Sequence, residues 1–202
     1  MKEKVCIITG VTSGIGLATA ATLAEQSYTL GMICRNEEKG RDVIEFIRKK
    51  TGNNKLDLFI ADLCSIAEVK RIAELIKDKY PVIDLLVNNA GVINPNRIVT
   101  KEGNESTFAL NHLAYFLLSN LLLDNLKAAP KARIVNVASQ AAMIGKIKFD
   151  NLNLENGFSP MKAYTQSKLA NIVFTYELAN RLEGTTVTAN CLHPGMVRTN
   201  FG

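Results

Sequence analysis

Short, wholly apolar runs separated by longer amphipathic stretches constrain this chain more than any other feature. Val5-Cys6-Ile7-Ile8 and Leu85-Leu86-Val87 are continuously apolar rather than alternating. A strand of that kind has both faces covered, as when helices lie on each side of a parallel sheet. Strands are predicted at Lys4 to Thr9, Thr29 to Cys34, Leu56 to Ile60, Ile83 to Val87, Arg133 to Ala138 and Thr186 to Leu192. Between them, helical spacing predicts helices over Gly14 to Glu25, Glu37 to Lys50, Ile66 to Lys79, Lys101 to Lys127 and Pro160 to Glu183. Ser65 with Glu68 has capping-box spacing at the third helix, and Gly184 follows the last helix where a left-handed residue is wanted. Strands alternating with helices give an α/β fold, a doubly wound parallel sheet with helices on both faces. No repeat or linker divides the 202 residues, so one domain over residues 1–202 is expected. A chain of this size buries about 70% of its extended surface, enough for a core without disulfide or metal staples.

Composition removes several function classes. At 47% hydrophobic and 21% charged, with no low-complexity tract, the chain is neither disordered nor fibrous. The net charge of +5 permits an anionic ligand. Its basic residues are interspersed with acids, as in Arg35-Asn36-Glu37-Glu38-Lys39-Gly40-Arg41, which argues against a nucleic-acid partner. Cys6, Cys34, Cys64 and Cys191 lie far apart with no CxxC pair and no His at ligand spacing, so they read as reduced core thiols of a cytoplasmic protein and no metal site is expected. The N-terminal apolar run is too short for a signal peptide. The greasiest stretch, Phe108 to Leu126, is interrupted by Asn111, His112, Ser119, Asn120, Asp124 and Asn125, so no membrane span is expected.

The chemistry-bearing residues fall at predicted strand ends. The first strand runs into Thr9-Gly10-Val11-Thr12-Ser13-Gly14-Ile15-Gly16 and then a helix. Glycines there permit a tight turn and let backbone N–H groups approach a pyrophosphate at the helix N-terminus, the Rossmann-type arrangement. After the second strand, where an acid normally receives the ribose 2′-hydroxyl, stand Arg35 and Asn36. A guanidinium forks onto phosphate oxygens, which favours NADP(H) over NAD(H). Unit charges about 4 Å apart at an effective dielectric near 20 attract by about 4 kcal/mol before screening, and a quarter of that gives several-fold preference. Asp62 closes the third strand, where it can accept from an adenine amino group or serve as a turn residue. Asn88-Asn89-Ala90-Gly91 closes the fourth, its small residues leaving room for a flat adenosine. In the last helix Tyr164 and Lys168 are i and i+4 and point the same way. A nearby cation favours a phenolate by about 1–3 units, the tuning that a proton donor to a carbonyl needs. Ser139, ending the fifth strand, can hold a substrate oxygen, and Asn111 can anchor a water linking Lys168 to solvent.

TGxxxGIG at Thr9 to Gly16, NNAG at Asn88 to Gly91, the set Asn111, Ser139, Tyr164 and Lys168, and Pro194-Gly195 resemble a short-chain dehydrogenase/reductase over nearly the whole chain. The resemblance implies that Tyr164 is the catalytic acid/base, Ser139 positions the substrate oxygen, Lys168 binds the nicotinamide ribose and Asn111 holds a relay water. It places Gly10, Thr12, Ser13, Gly14, Ile15, Gly16, Arg35, Asn36, Asp62, Leu63, Asn89, Ala90 and Gly91 along the dinucleotide. Pro194, Gly195, Val197 and Thr199 would meet its nicotinamide end. Asn111-His112-Leu113, Arg133-Ile134-Val135-Asn136-Val137, Ser167-Lys168-Leu169-Ala170-Asn171 and His193-Pro194-Gly195 resemble the retinol-dehydrogenase-like branch, whose substrates are apolar alcohols, aldehydes and ketones. His112 and His193 are expected to be structural. Ala138 replaces a serine often found before the catalytic one, without consequence because Ser139 remains.

Reversible hydride transfer between NADP(H) and a small apolar carbonyl or alcohol is therefore expected. The alternatives are a non-catalytic NAD(P)-binding sensor, for which a Tyr-Lys pair has no purpose, and a scaffold pairing through its helices. Apolar outer positions on Lys101 to Lys127 and Pro160 to Glu183 would let two copies form a homodimer. Members of the branch often carry an N-terminal membrane anchor that this sequence lacks, which points to a soluble enzyme of microbial type with substrates other than retinoids. They also continue past the Pro-Gly motif into a substrate-covering segment, so a chain ending at Gly202 reads as part of a longer enzyme.

Overall fold

In the computed structural model, which describes residues 3–195, six strands form one all-parallel sheet in the order β3-β2-β1-β4-β5-β6. The elements are β1 (Val5–Thr9), α1 (Gly14–Glu25), β2 (Thr29–Cys34), α2 (Glu37–Thr51), β3 (Leu56–Ile60), α3 (Ile66–Lys79) and β4 (Leu85–Asn88). Then come α4 (Ser106–Phe108), a π-helical turn (Ala109–Leu113), α5 (Ala114–Leu121), α6 (Leu123–Lys127), β5 (Ala132–Val137), a 3₁₀ turn (Gln140–Ile144), α7 (Pro160–Arg181) and β6 (Val187–Leu192). The Rossmann-type doubly wound expectation is met. Strand order reverses between β1 and β4, and ligands of such sheets bind beyond the strand ends at that switch point.

Alternate residues of the apolar strands feed two cores. Ile7, Ile33, Leu86 and Ile134 pack with Ile72 and Ile76 of α3, Leu118 of α5 and Leu178 of α7. Cys6, Ile8, Leu30, Met32 and Val87 pack with Ala20 and Ala24 of α1 and Val43 and Ile47 of α2. Continuous hydrophobicity in β1 and β4 is thus the direct result of helices on both faces. Among the described residues, no helix is long and apolar enough to cross a membrane.

One expected helix is wrong in its bounds and its regularity. Residues 101–105 are turn rather than helix: Gly103 has φ +84°, and the Thr100 N–H donates to Asn104 O. Both oxygens of Glu105 then cap the helix, accepting from Thr107 N and Phe108 N at 2.9 Å. From there it widens into the π turn, and Leu122 at φ −94°, ψ 6° separates α5 from α6. The Ser65 capping box is only half formed. Its hydroxyl accepts from Glu68 N at 3.4 Å, but the Glu68 carboxylate turns to Arg71 and the Ser65 N–H donates to Asp62 O. Gly184 takes φ +78° as expected.

Polar side chains join the sheet to α7 inside this apolar frame. Asn88 and Asn136, paired in register on β4 and β5, are fully buried. Asn88 Nδ2 donates to Asn136 Oδ1 at 2.8 Å, and Asn136 Nδ2 donates to Thr175 Oγ1 at 2.9 Å. Removing the middle of such a chain strands partners on either side. Asn136→Leu is therefore expected to lower stability by about 2–4 kcal/mol, seen as a lower urea midpoint. An unchanged midpoint would contradict the role given to this chain.

Candidate active site

Local necessity fixes the strand ends first. Gly10 sits at φ +72°, and a Cβ there would lie 2.7 Å from Ala90 Cα, so only glycine lets β1 and β4 end this close together. A Cβ on Gly16 would lie 2.1 Å from Gly10 O, so α1 can start against the turn only without one. Thr9 Oγ1 accepts from both Asn89 N and Ala90 N at 2.9 Å, while Asn89 Nδ2 donates to Thr9 O at 2.9 Å and Gly10 O at 3.1 Å. Tyr115 donates its hydroxyl to Ala90 O at 3.0 Å from α5.

These ends open onto a cleft of about 620 Å³. Gly10, Thr12, Ser13, Gly14, Ile15 and Gly16 line it from the first turn, Arg35, Asp62 and Leu63 from just past β2 and β3, and Asn89, Ala90 and Gly91 from just past β4. Ser139, Tyr164, Lys168, His193, Pro194 and Gly195 also face it. Val197 and Thr199 lie outside the described residues. Asn36 does not line the cleft; its Oδ1 caps α2 by accepting from Lys39 N at 2.8 Å. Asp62 also holds a turn, accepting from Cys64 N at 3.0 Å. No metal-capable His/Cys/Asp/Glu cluster occurs among the described residues.

The start of α1 differs from that of the other long helices. Asn36, Ser65 and Ser159 cap α2, α3 and α7 through their side chains, whereas Ser13 makes no side-chain cap to α1 and no acid occupies its first turn. Its orphan N–H donors and positive dipole end therefore meet the cleft. A cradle that glycines keep open, an uncapped helix start and Arg35 at the next strand end fit a phosphate-bearing dinucleotide.

At the other end, Lys168 is only 3% exposed, and its Nζ donates to Val137 O at 2.8 Å. The ammonium lies 5.8 Å from the Tyr164 ring centroid and 5.6 Å from that of Tyr115. Ser139 caps the 3₁₀ turn, its Oγ accepting from Ala141 N at 3.2 Å, and shares the cleft wall with Tyr164. Asn111 sits behind the cleft wall. It is fully buried, with both amide protons engaged, by Val92 O at 2.9 Å and Ser167 Oγ at 3.1 Å, and its Oδ1 accepting from Val92 N at 2.8 Å. Its side chain is a clamp on the backbone just past NNAG.

Sequence reasoning missed Tyr115, Val92 and Cys64. Tyr115 had a signal, standing four residues after Asn111 and so on the same helical face. Burial, with Asp62 adding to it, pushes the Cys64 thiol up to about 12, so a neutral thiol faces the cleft.

The sequence matches the family described as short chain dehydrogenase over residues 4–202. It is 42% identical to Retinol dehydrogenase 13 of Homo sapiens over 98% of this chain and 60% of that protein. The chain thus spans about three fifths of that relative's length. An uncharacterized protein from Mycobacterium paratuberculosis superposes with a TM-score of 0.84 at 36% identity, covering 95% of this chain and 68% of that one. A short chain dehydrogenase from Shigella flexneri complexed with NADP gives 0.78 at 26%, covering 96% and 77%.

Burial lowers the Lys168 amine from 10.5 to about 8. Below pH 8 folded and unfolded chains both carry the ammonium, and the native state bears the full cost of burying it. Between pH 8 and 10.5 the native state gives up its proton first and that cost fades. From about pH 7 to pH 10, the melting temperature of wild type is expected to gain several degrees on that of Lys168→Met. A constant difference across that range would contradict the burial argument.

Proposed function

The chain belongs to the short-chain dehydrogenase family, and on that footing we propose that it moves a hydride between NADP(H) and an apolar alcohol or carbonyl compound. The observation that carries this reading is the cleft itself. One wall presents an uncapped helix start and Arg35; the other presents Tyr164, Ser139 and a buried Lys168. Bound along it, the nicotinamide supplies the hydride donor or acceptor.

The protein's part is orientation and the proton. In the reducing direction the Tyr164 hydroxyl gives its proton to the carbonyl oxygen as that oxygen becomes an alkoxide, and in the oxidising direction it takes the proton back. The Lys168 ammonium, held by Val137 O and packed against the Tyr164 ring, stabilises negative charge on the phenol oxygen in an environment poor in water. Ser139 Oγ steadies the substrate oxygen. The Arg35 guanidinium selects the 2′-phosphate, and the NADP complex of the Shigella flexneri relative supports this choice. Met143, Ile144 and Phe149, each at least three-quarters exposed beyond Ser139, support an apolar substrate. Phe116, Val173 and Tyr176, exposed on α5 and α7, support a homodimer through the long helices.

Two measurements test this reading. Tyr164→Phe removes only the hydroxyl; turnover on a carbonyl panel is expected to fall by at least about 100-fold while NADPH affinity stays within about three-fold. Retained turnover would overturn the assignment. Wild type is expected to bind NADPH more tightly than NADH, and Arg35→Ala to lose most of that difference, about five-fold or more. Equal affinities in wild type would refute the Arg35 argument.

A further inference from the structure

Tyr164 and Lys168 do not end the polar face of α7; it continues through Asn171 and Thr175, seven and eleven residues beyond Tyr164, both buried. Asn171 is fully buried, yet its amide is satisfied at both ends. Nδ2 donates to the main-chain carbonyl of Asn111 at 2.7 Å, and Oδ1 lies 3.0 Å from His112 Nδ1. Its own carbonyl accepts from Thr175 Oγ1 at 2.6 Å, and Thr175 in turn accepts from Asn136. A carbonyl can only accept, so Nδ2 must face Asn111 and Oδ1 must accept from His112, which therefore presents Nδ1–H. Burial lowers the His112 imidazole, so the ring stands neutral between Phe108 and Phe174.

Asn111 belongs to the π turn, a wide turn whose carbonyls leave the regular α-helical register. The same residue clamps both backbone groups of Val92 and donates to Ser167 Oγ, whose hydroxyl donates to Tyr164 O at 2.7 Å. A continuous path thus runs from Asn171 through Asn111 to the strand end beside the cleft and to the turn of α7 that carries Tyr164.

We infer that Asn171 is a positioning residue of this site: by holding the Asn111 main chain in the π turn, it sets the Val92 segment and the Tyr164 turn in the relation that proton transfer requires. The inference rests on the dehydrogenase reading of the same cleft. His112 supports it by fixing which way the Asn171 amide faces.

The first test needs no turnover. Val92 N–H is donated to Asn111 Oδ1, so its hydrogen exchange, followed by NMR, reports the clamp directly. In Asn171→Leu, Val92 is expected to exchange at least about 10-fold faster while amides of the β1–β2 ladder keep wild-type protection. Turnover provides the second: kcat is expected to fall at least about 10-fold with carbonyl KM and NADPH affinity within about three-fold. In an Asn111→Ala background the same substitution should cost less than about two-fold, because its effect passes through Asn111. Asn171→Ser, smaller and still polar but too short to reach Asn111, should behave alike and serves if the leucine variant does not fold. Unchanged Val92 exchange in a folded variant, a loss confined to KM or NADPH affinity, or additive losses with Asn111→Ala would each overturn the inference. A wild type that reduces no carbonyl would overturn the hydride-transfer reading and this inference with it, whereas unchanged Val92 exchange in an active enzyme would overturn this inference alone.

Discussion

Two amide hydrogens converge on one threonine oxygen where β1 and β4 end, and the site takes its shape from that junction. Thr9 Oγ1 accepts from consecutive backbone N–H groups of Asn89 and Ala90, which pins the fourth strand's end against the first. The approach leaves no room for a Cβ on Gly10, and Gly16 must be bare for α1 to begin where it does. With the strand ends held so closely, the reversal of strand order becomes a crevice floored by backbone. Everything that would recognise a dinucleotide is then supplied from its margins.

On the far margin the organising element is one face of α7. Tyr164, Lys168, Asn171 and Thr175 succeed one another along it, so a single helix delivers the chemical groups at one end and locks into the sheet at the other. Such a buried polar row is costly unless each member is paired, and Asn171, Thr175 and Asn136 are paired in sequence. Lys168 bears its cost differently: it keeps its hydrogen bond to Val137 O, but burial makes its proton easier to lose. Neutral hydrogen bonds along α7 thus hold the one buried charge of this face in place.

Much of this was legible in the sequence, and the reasons differ by residue. Continuous apolar runs marked β1 and β4 because both faces are covered, and ten of the eleven expected elements lie within two residues of their observed bounds. The glycine turn, NNAG and the Tyr-Lys spacing were readable because each is a local pattern whose backbone demand shows in residue type. The break after Lys101 was hidden because Glu105 acts through its side chain as a cap, a role that acids at other positions do not announce. Asn36 reads as a ligand contact in the sequence, and its Oδ1 also caps the start of α2, a use that residue type alone does not reveal. The Asn111 clamp on Val92 was hidden because it joins residues 19 apart whose meeting depends on the π turn. Long-range polar pairing of this kind leaves no periodic trace.

The bare start of α1 has a consequence for the life of the protein rather than for its chemistry. Every other long helix among the described residues carries its own cap, so an anion at this one would meet donors that the chain leaves open. A ligand bound there at a hundred times its dissociation constant adds about 2.7 kcal/mol to folding, a large share of a typical domain's margin. A fall in the concentration of such an anion would then lower the fraction of the chain that stays folded.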